Sequence, residues 1–111
     1  MQECIFCKIA RGEIPSEIVY QNETVVAFKD IRPQAPIHVL IVPREHLPTW
    51  NENVDHVIGA MWQAVRTIAR EMGIDESGYR VVANCNRDGG QEVFHIHLHL
   101  LGGRPLKWPP G

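Results

Sequence analysis

Along this chain the spacing of hydrophobic positions changes several times, and each change marks an element. "CIFCKIARG" carries Ile5, Phe6 and Ile9 at near-helical spacing and runs into Gly12, which predicts a short first helix. "EIVY" (residues 17–20) and "TVVAFKD" (24–30) are short β-rich runs separated by "QNE", the pattern of a hairpin. After the Pro-punctuated loop "IRPQAP" comes "IHVLIVP" (37–43), an apolar strand. Over residues 51–72 the apolar positions are Val54, Val57, Ile58, Met61, Trp62, Val65, Ile68, Ala69 and Met72. That is one buried stripe of a long helix, with Asn residues at its start and Gly73 past its end. At ~1.5 Å per residue it spans about 30 Å, enough to cover a sheet. "YRVVANC" (79–85) and "EVFHIHLHLL" (92–101) predict two last strands, joined by "NRDGGQ". The expected fold is α+β: a five-stranded antiparallel sheet with one short N-terminal and one long central helix.

Composition narrows the function classes. A chain of 111 residues is expected to form a single domain over 1–111. The hydrophobic fraction of 44% is that of a globular protein. With a formal net charge of −2 and no cationic run, the chain offers no electrostatic footprint for a nucleic-acid polymer or an anionic membrane. No apolar stretch is long enough to span a bilayer, and "MQECIFCKIARGEIP" lacks a signal-peptide layout. Three cysteines make no disulfide framework, so a cytoplasmic location is expected.

The chemistry concentrates in "VFHIHLHLLGG". His95, His97 and His99 alternate with Ile96, Leu98 and Leu100, so the histidines share one face of an extended segment and the aliphatic residues the other. One histidine on such a strand is ordinarily a satisfied polar residue. Three in strict alternation form a row. Steps of about 6.6–6.8 Å along that row make a single zinc ion shared by His95 and His99 geometrically poor, since zinc binds nitrogen at about 2.0–2.1 Å. Separate tasks suit the row better: a central imidazole attacking phosphorus, with a neighbour serving the oxygen or leaving group.

"HIHLHLL" fits the signature of the histidine triad family, and the chain resembles its HINT-like branch. The resemblance extends through "IFCKIARGEIP", "VAFKDIRPQAPIHVLIVPREH", "GYRVVANCNRDGGQEVFHIHLHLLGGR" and the closing "GGRPLKWPPG". It implies a hydrolase of purine nucleoside phosphoramidates and acyl-nucleotide anhydrides that yields AMP or GMP. His97 would be the nucleophile, His99 its assistant at the phosphate, and His38 a further histidine of the site. Asn84, Gly90, Gln91 and Val93 match positions around the phosphate. Glu92 departs from the serine of animal sequences and receives no binding role. Phe28, Asp30 and Ile31 match the nucleoside site, with Asp30 accepting from ribose hydroxyls. Ile5, Phe6, Ile9, Ile14 and Leu40 match pocket positions. The resemblance also implies a homodimer whose Trp108-bearing tail reaches toward the partner's site.

Cys4 and Cys7 form a C-x-x-C with no preceding strand, which argues against a thioredoxin-like role. A structural zinc needs two more ligands, and His46 and His95 are the candidates. Some bacterial relatives show this two-Cys, two-His set, so the resemblance implies a structural Zn²⁺ that takes no part in the chemistry. Two alternatives stay open: a zinc-dependent hydrolase using the triad as ligands, and a nucleotide-binding or sensing protein with little turnover. Cys85 reads as a small strand-end residue.

Overall fold

The structure, a computed structural model, describes residues 4–111. Helix α1 is Ile5–Ala10, capped by Cys4, whose Sγ accepts the Cys7 N–H at 3.2 Å. The helix ends at Ala10, two residues before Gly12, whose φ of +76° turns the chain in a region that favours glycine. Strands β1 (Ile18–Gln21), β2 (Val25–Lys29) and β3 (Ile37–Pro43) follow as an antiparallel meander. Helix α2 is Asp55–Glu71, and β4 (Tyr79–Val82) and β5 (Leu98–Gly102) complete a five-stranded antiparallel sheet of order β1-β2-β3-β5-β4. β5 therefore lies between β3 and β4.

Three elements are shorter than their sequence patterns, and one is β4, which ends at Val82 and so leaves Cys85 in the connection beyond the strand. The periodicity begins at residue 51, but α2 begins at Asp55. Asn53 Oδ1 accepts the Asp55 N–H at 3.1 Å, and Asn51 N–H donates to Thr49 Oγ1 at 3.2 Å. Those Asn residues build turns ahead of the helix instead of its first turn. The last strand reads as 92–101, yet its ladder starts at Leu98, opposite Ile41. Upstream of it the Ile96 N–H donates to Leu47 O at 2.8 Å, so the segment carrying His95 and His97 is held by the loop after β3.

The sheet separates two cores by the period of two. Val25 and Ala27, Val39 and Ile41, and Leu98 and Leu100 face α2, where Met61, Ala64, Val65 and Ile68 complete a buried layer. Each fully buried large aliphatic side chain there contributes about 1.5–3 kcal/mol. The alternate residues Val26, Phe28, Leu40 and Val42 face α1 and meet Phe6, Ile9 and Ala10. His38 precedes Leu40 by two on this same face, and His99 stands opposite Leu40 in the ladder. The histidines thus occupy the face that the short helix covers only in part.

Candidate active site

A cavity of about 680 Å³ opens on the α1 face, of the size that holds a small-molecule ligand. Its wall includes the three histidines His38, His97 and His99. α1 supplies Ile5, Phe6 and Ile9, and the end of β2 with the loop after it supplies Phe28, Asp30 and Ile31. The connection from β4 to β5 supplies Asn84, Gly90 and Val93, while Ile14 and Leu40 also line the space. The wall further takes in Pro15, Ser16, Lys29, Arg32 and Gln34, to which the sequence assigned no role in the site, and Glu92. Residues 29, 32 and 34 flank Asp30 within "VAFKDIRPQAP", and Pro15 closes "IFCKIARGEIP"; that proximity to assigned residues was the available signal.

Hydrogen bonds fix the proton on each ring. The Gln34 N–H donates to His38 Nδ1 at 3.0 Å, so His38 carries its proton on Nε2. That nitrogen lies 3.0 Å from His99 Nδ1 and 3.5 Å from Asp30 Oδ2, and the shorter contact is the hydrogen bond. His99 Nδ1 is then an acceptor, which leaves the His99 proton on Nε2. His97 Nδ1 donates to the His95 carbonyl at 2.8 Å, which leaves Nε2 of His97 bare. The site presents one unprotonated nitrogen and one N–H from adjacent imidazoles, with ring centroids 4.9 Å apart.

Burial keeps these rings neutral. It is the largest influence on His97, lowering its pKa against the opposing pull of the His95 carbonyl and Asp30. His38 is lowered for the same reason, partly offset by Asp30. His99 is pushed down to about 4, first by burial and then by His97 and His38. A neutral imidazole with a bare nitrogen is a competent nucleophile at neutral pH.

The Gly-rich connection does less than its sequence promised. Gly90 N–H donates to Arg87 O and Gln91 N–H to Asn86 O, both at 3.0 Å, so these two amides are spent inside the turn. Gln91, expected at the phosphate, is buried outside the cavity wall. Its amide nitrogen donates to Pro48 O at 2.7 Å and Val93 O at 3.1 Å, and its Oε1 accepts from Asn86 N–H at 2.8 Å. The residue ties the loop down. Gly89 has a sharper reason to be glycine, because a Cβ there would lie 2.5 Å from the Cys85 carbonyl oxygen.

Away from the cavity wall, four side chains from three segments converge. Cys4 Sγ lies 3.4 Å from His46 Nδ1 and 3.2 Å from His95 Nδ1; Cys7 Sγ lies 3.3 and 3.5 Å from the same atoms. The two Nδ1 atoms are 3.3 Å apart. A tetrahedron with zinc bond lengths has edges of about 3.3 Å between nitrogens and about 3.6 Å between sulfur and nitrogen. His95 Nε2–H donates to Pro43 O at 2.7 Å, which leaves its Nδ1 bare and aimed at the thiols, as a metal-ligating histidine requires. The residues fit a tetrahedral metal centre. His95 thus turns away from the cavity, and the triad divides between two sites.

Comparison with known proteins bears on both sites. The HIT domain family matches residues 11–106. The purine nucleoside phosphoramidase of Escherichia coli (strain K12) is 56% identical over 108 residues, covering 95% of this chain and 91% of that protein. The 14 kDa zinc-binding protein of Zea mays is 46% identical over 112 residues, with 96% and 87% covered. A crystal structure of a HIT family hydrolase from Legionella pneumophila Philadelphia 1 superimposes with a TM-score of 0.94 at 49% identity, covering 98% of this chain and all of that one.

Proposed function

The chain belongs to the HIT domain family, and from that premise we propose that it is a hydrolase of purine nucleoside phosphoramidates or acyl-nucleotide anhydrides. The products are AMP or GMP and the released amine or acid. The observation that carries this reading is the bare Nε2 of His97 in the cavity beside the N–H of His99. In the first step the Nε2 lone pair forms a bond to the α-phosphorus as the bond from phosphorus to the leaving nitrogen breaks. The amine departs with that electron pair and one proton from solvent. His97 becomes a phosphorylated imidazolium, steadied by its Nδ1–H bond to the His95 carbonyl, while His99 Nε2–H donates to a phosphoryl oxygen. Water then attacks the same phosphorus, returns the pair to Nε2 and releases the nucleotide and a proton. Asp30 accepts from the ribose, and Phe28 and Ile31 flank the base; Asn84, Gly90 and Val93 shape the phosphate side.

Cys4, Cys7, His46 and His95 would hold Zn²⁺. The ion supplies a fixed structural node beneath the triad and makes or breaks no substrate bond. A hydrolase with all three triad histidines on one ion is disfavoured by their divergence, His95 toward the thiols and His99 toward His38. The reading includes a homodimer and a cytoplasmic setting. Arg80 holds the tail by donating to Lys107 O at 2.8 Å, which leaves Trp108 80% exposed for a partner, and reduced thiols suit the metal centre.

The test is an adenosine 5′-phosphoramidate of a neutral amine. AMP and amine should appear in equal amounts, and the acid-side loss of kcat/KM should fall below pH 6.5, the ordinary histidine value. The sign follows from His38 and His99, which accept hydrogen bonds only when neutral and whose pKa values burial holds below the ordinary 6.5. Tight AMP binding with no AMP production would replace the hydrolase by a nucleotide-sensing protein.

A further inference from the structure

Just past β5 the chain turns against the loop that carries Asp30 and Gln34. Gly103 makes the turn with a φ of +92°, and a Cβ there would lie 2.9 Å from Cβ of Pro36, so only glycine allows the approach. Arg104 follows, exposed, and donates from Nη2 to the Gln34 carbonyl at 2.9 Å and from Nη1 to the Pro105 carbonyl at 3.1 Å. Gln34 in turn donates its N–H to His38 Nδ1 at 3.0 Å, and its side-chain amide turns back to the Arg32 carbonyl at 3.0 Å. A line of hydrogen bonds thus runs from Arg104 at the surface through Gln34, His38 and His99 to the cavity.

The His38–His99 contact does not fix its own direction. His38 Nε2 and His99 Nδ1 lie 3.0 Å apart, and either ring can supply the proton between them. If His38 donates, His99 carries its own proton on Nε2, toward the cavity. If His99 donates, its Nε2 is bare and His38 carries a proton on Nδ1. The exchange moves the shared proton from His38 to His99, gives the His99 Nε2 proton to water and takes one from water at His38 Nδ1; total charge is unchanged. The second arrangement sets the Gln34 N–H against an N–H of His38 across 3.0 Å and leaves both donors unbonded. Asp30 Oδ2, at 3.5 Å from His38 Nε2, favours the first arrangement more weakly. Gln34 is therefore the main selector, yet among the described residues no backbone–backbone bond holds it. The Arg104 bond to its carbonyl and the packing of Pro36 on Gly103 tie it to the sheet.

We propose that Arg104 is a positioning residue that acts through Gln34 to keep the His99 proton on the nitrogen facing the cavity. This rests on the hydrolase reading, in which that proton is offered to a phosphoryl oxygen. Full-length wild type, Arg104→Ala, Arg104→Lys and Arg80→Ala test it. Long-range proton–nitrogen NMR of the imidazoles, without substrate and at about pH 8, reads which nitrogen of His38 and of His99 is protonated. In the wild type both protons should sit on Nε2. Arg104→Ala should place a measurable fraction on Nδ1 of each ring. Its kcat on the phosphoramidate of a neutral amine should fall about fivefold, the order of one solvent-facing bond from a charged donor, with KM changed less than about twofold. Arg104→Lys keeps a charged donor and should recover most of both. Arg80→Ala frees Lys107, farther along the same tail, without touching Gln34, and should keep the wild-type proton positions. Unchanged proton positions in Arg104→Ala, or an equal shift in Arg80→Ala, would overturn the positioning role and leave the hydrolase standing. A wild type that shows the Arg104-dependent proton positions but cleaves no phosphoramidate would overturn the hydrolase reading, and with it the role of Arg104 in that reaction.

Discussion

His97→Ala is expected to abolish turnover, with kcat/KM for an adenosine phosphoramidate falling by about 10⁴-fold or more. No other ring can take over the attack. His95 points its bare nitrogen at the thiols, and His99 spends its Nδ1 on His38 and presents a proton to the cavity. The fold should survive, because β5 keeps its pairing with β3 and β4 and its aliphatic face stays in the α2 core. Steady-state kinetics beside a thermal melt separates the two effects. A His97→Ala protein that melts like wild type and still turns over at a tenth of the rate would contradict the assignment.

The second large effect is on stability. Stripping metal with a chelator, or replacing Cys4 and Cys7 together by Ser, should lower Tm by roughly 10 °C or more, from the loss of about 3 kcal/mol or more. The centre joins three segments far apart in sequence: the cap of α1, the loop after β3, and the stretch just before β5. That last stretch lies outside the ladder, so the centre, the Ile96 bond to Leu47 and the His95 bond to Pro43 are its main ties. The carbonyl that orients His97 belongs to His95, so loosening the centre should also slow turnover. Elemental analysis should find one zinc per chain. A protein purified without zinc, with Tm unmoved by chelator or by the double substitution, would contradict the metal centre.

Local patterns made much of this legible. The alternation in "VFHIHLHLL" placed three histidines on one face, whereas the resemblance marked His38, which β3 sets on the same side as Leu40 and Val42. Long-range placement was another matter. That His38 touches His99 depends on the β3–β5 register, Leu40 opposite His99, which no window of sequence contains. Gln91 looked like a phosphate ligand because it sits beside glycines and the triad, yet its amide serves three backbone groups within its own loop and at Pro48. The division of the triad turns on His95, whose ring faces Cys4 and Cys7 only because α1 folds across that end of the sheet. The C-x-x-C supplied the motive to look for such partners, and proximity in the fold supplied them.

The covalent nucleotidyl-histidine is the centre of the account, and it can be caught. Protein mixed with an adenosine phosphoramidate for milliseconds, denatured in alkali to preserve the phosphorus–nitrogen bond, and digested for mass spectrometry should yield an adenylylated peptide with the modification on His97. The adduct should form and decay at rates that account for AMP release, and His97→Ala should give none. AMP released at the normal rate with no adduct at any time point, or an adduct on a different residue, would contradict it.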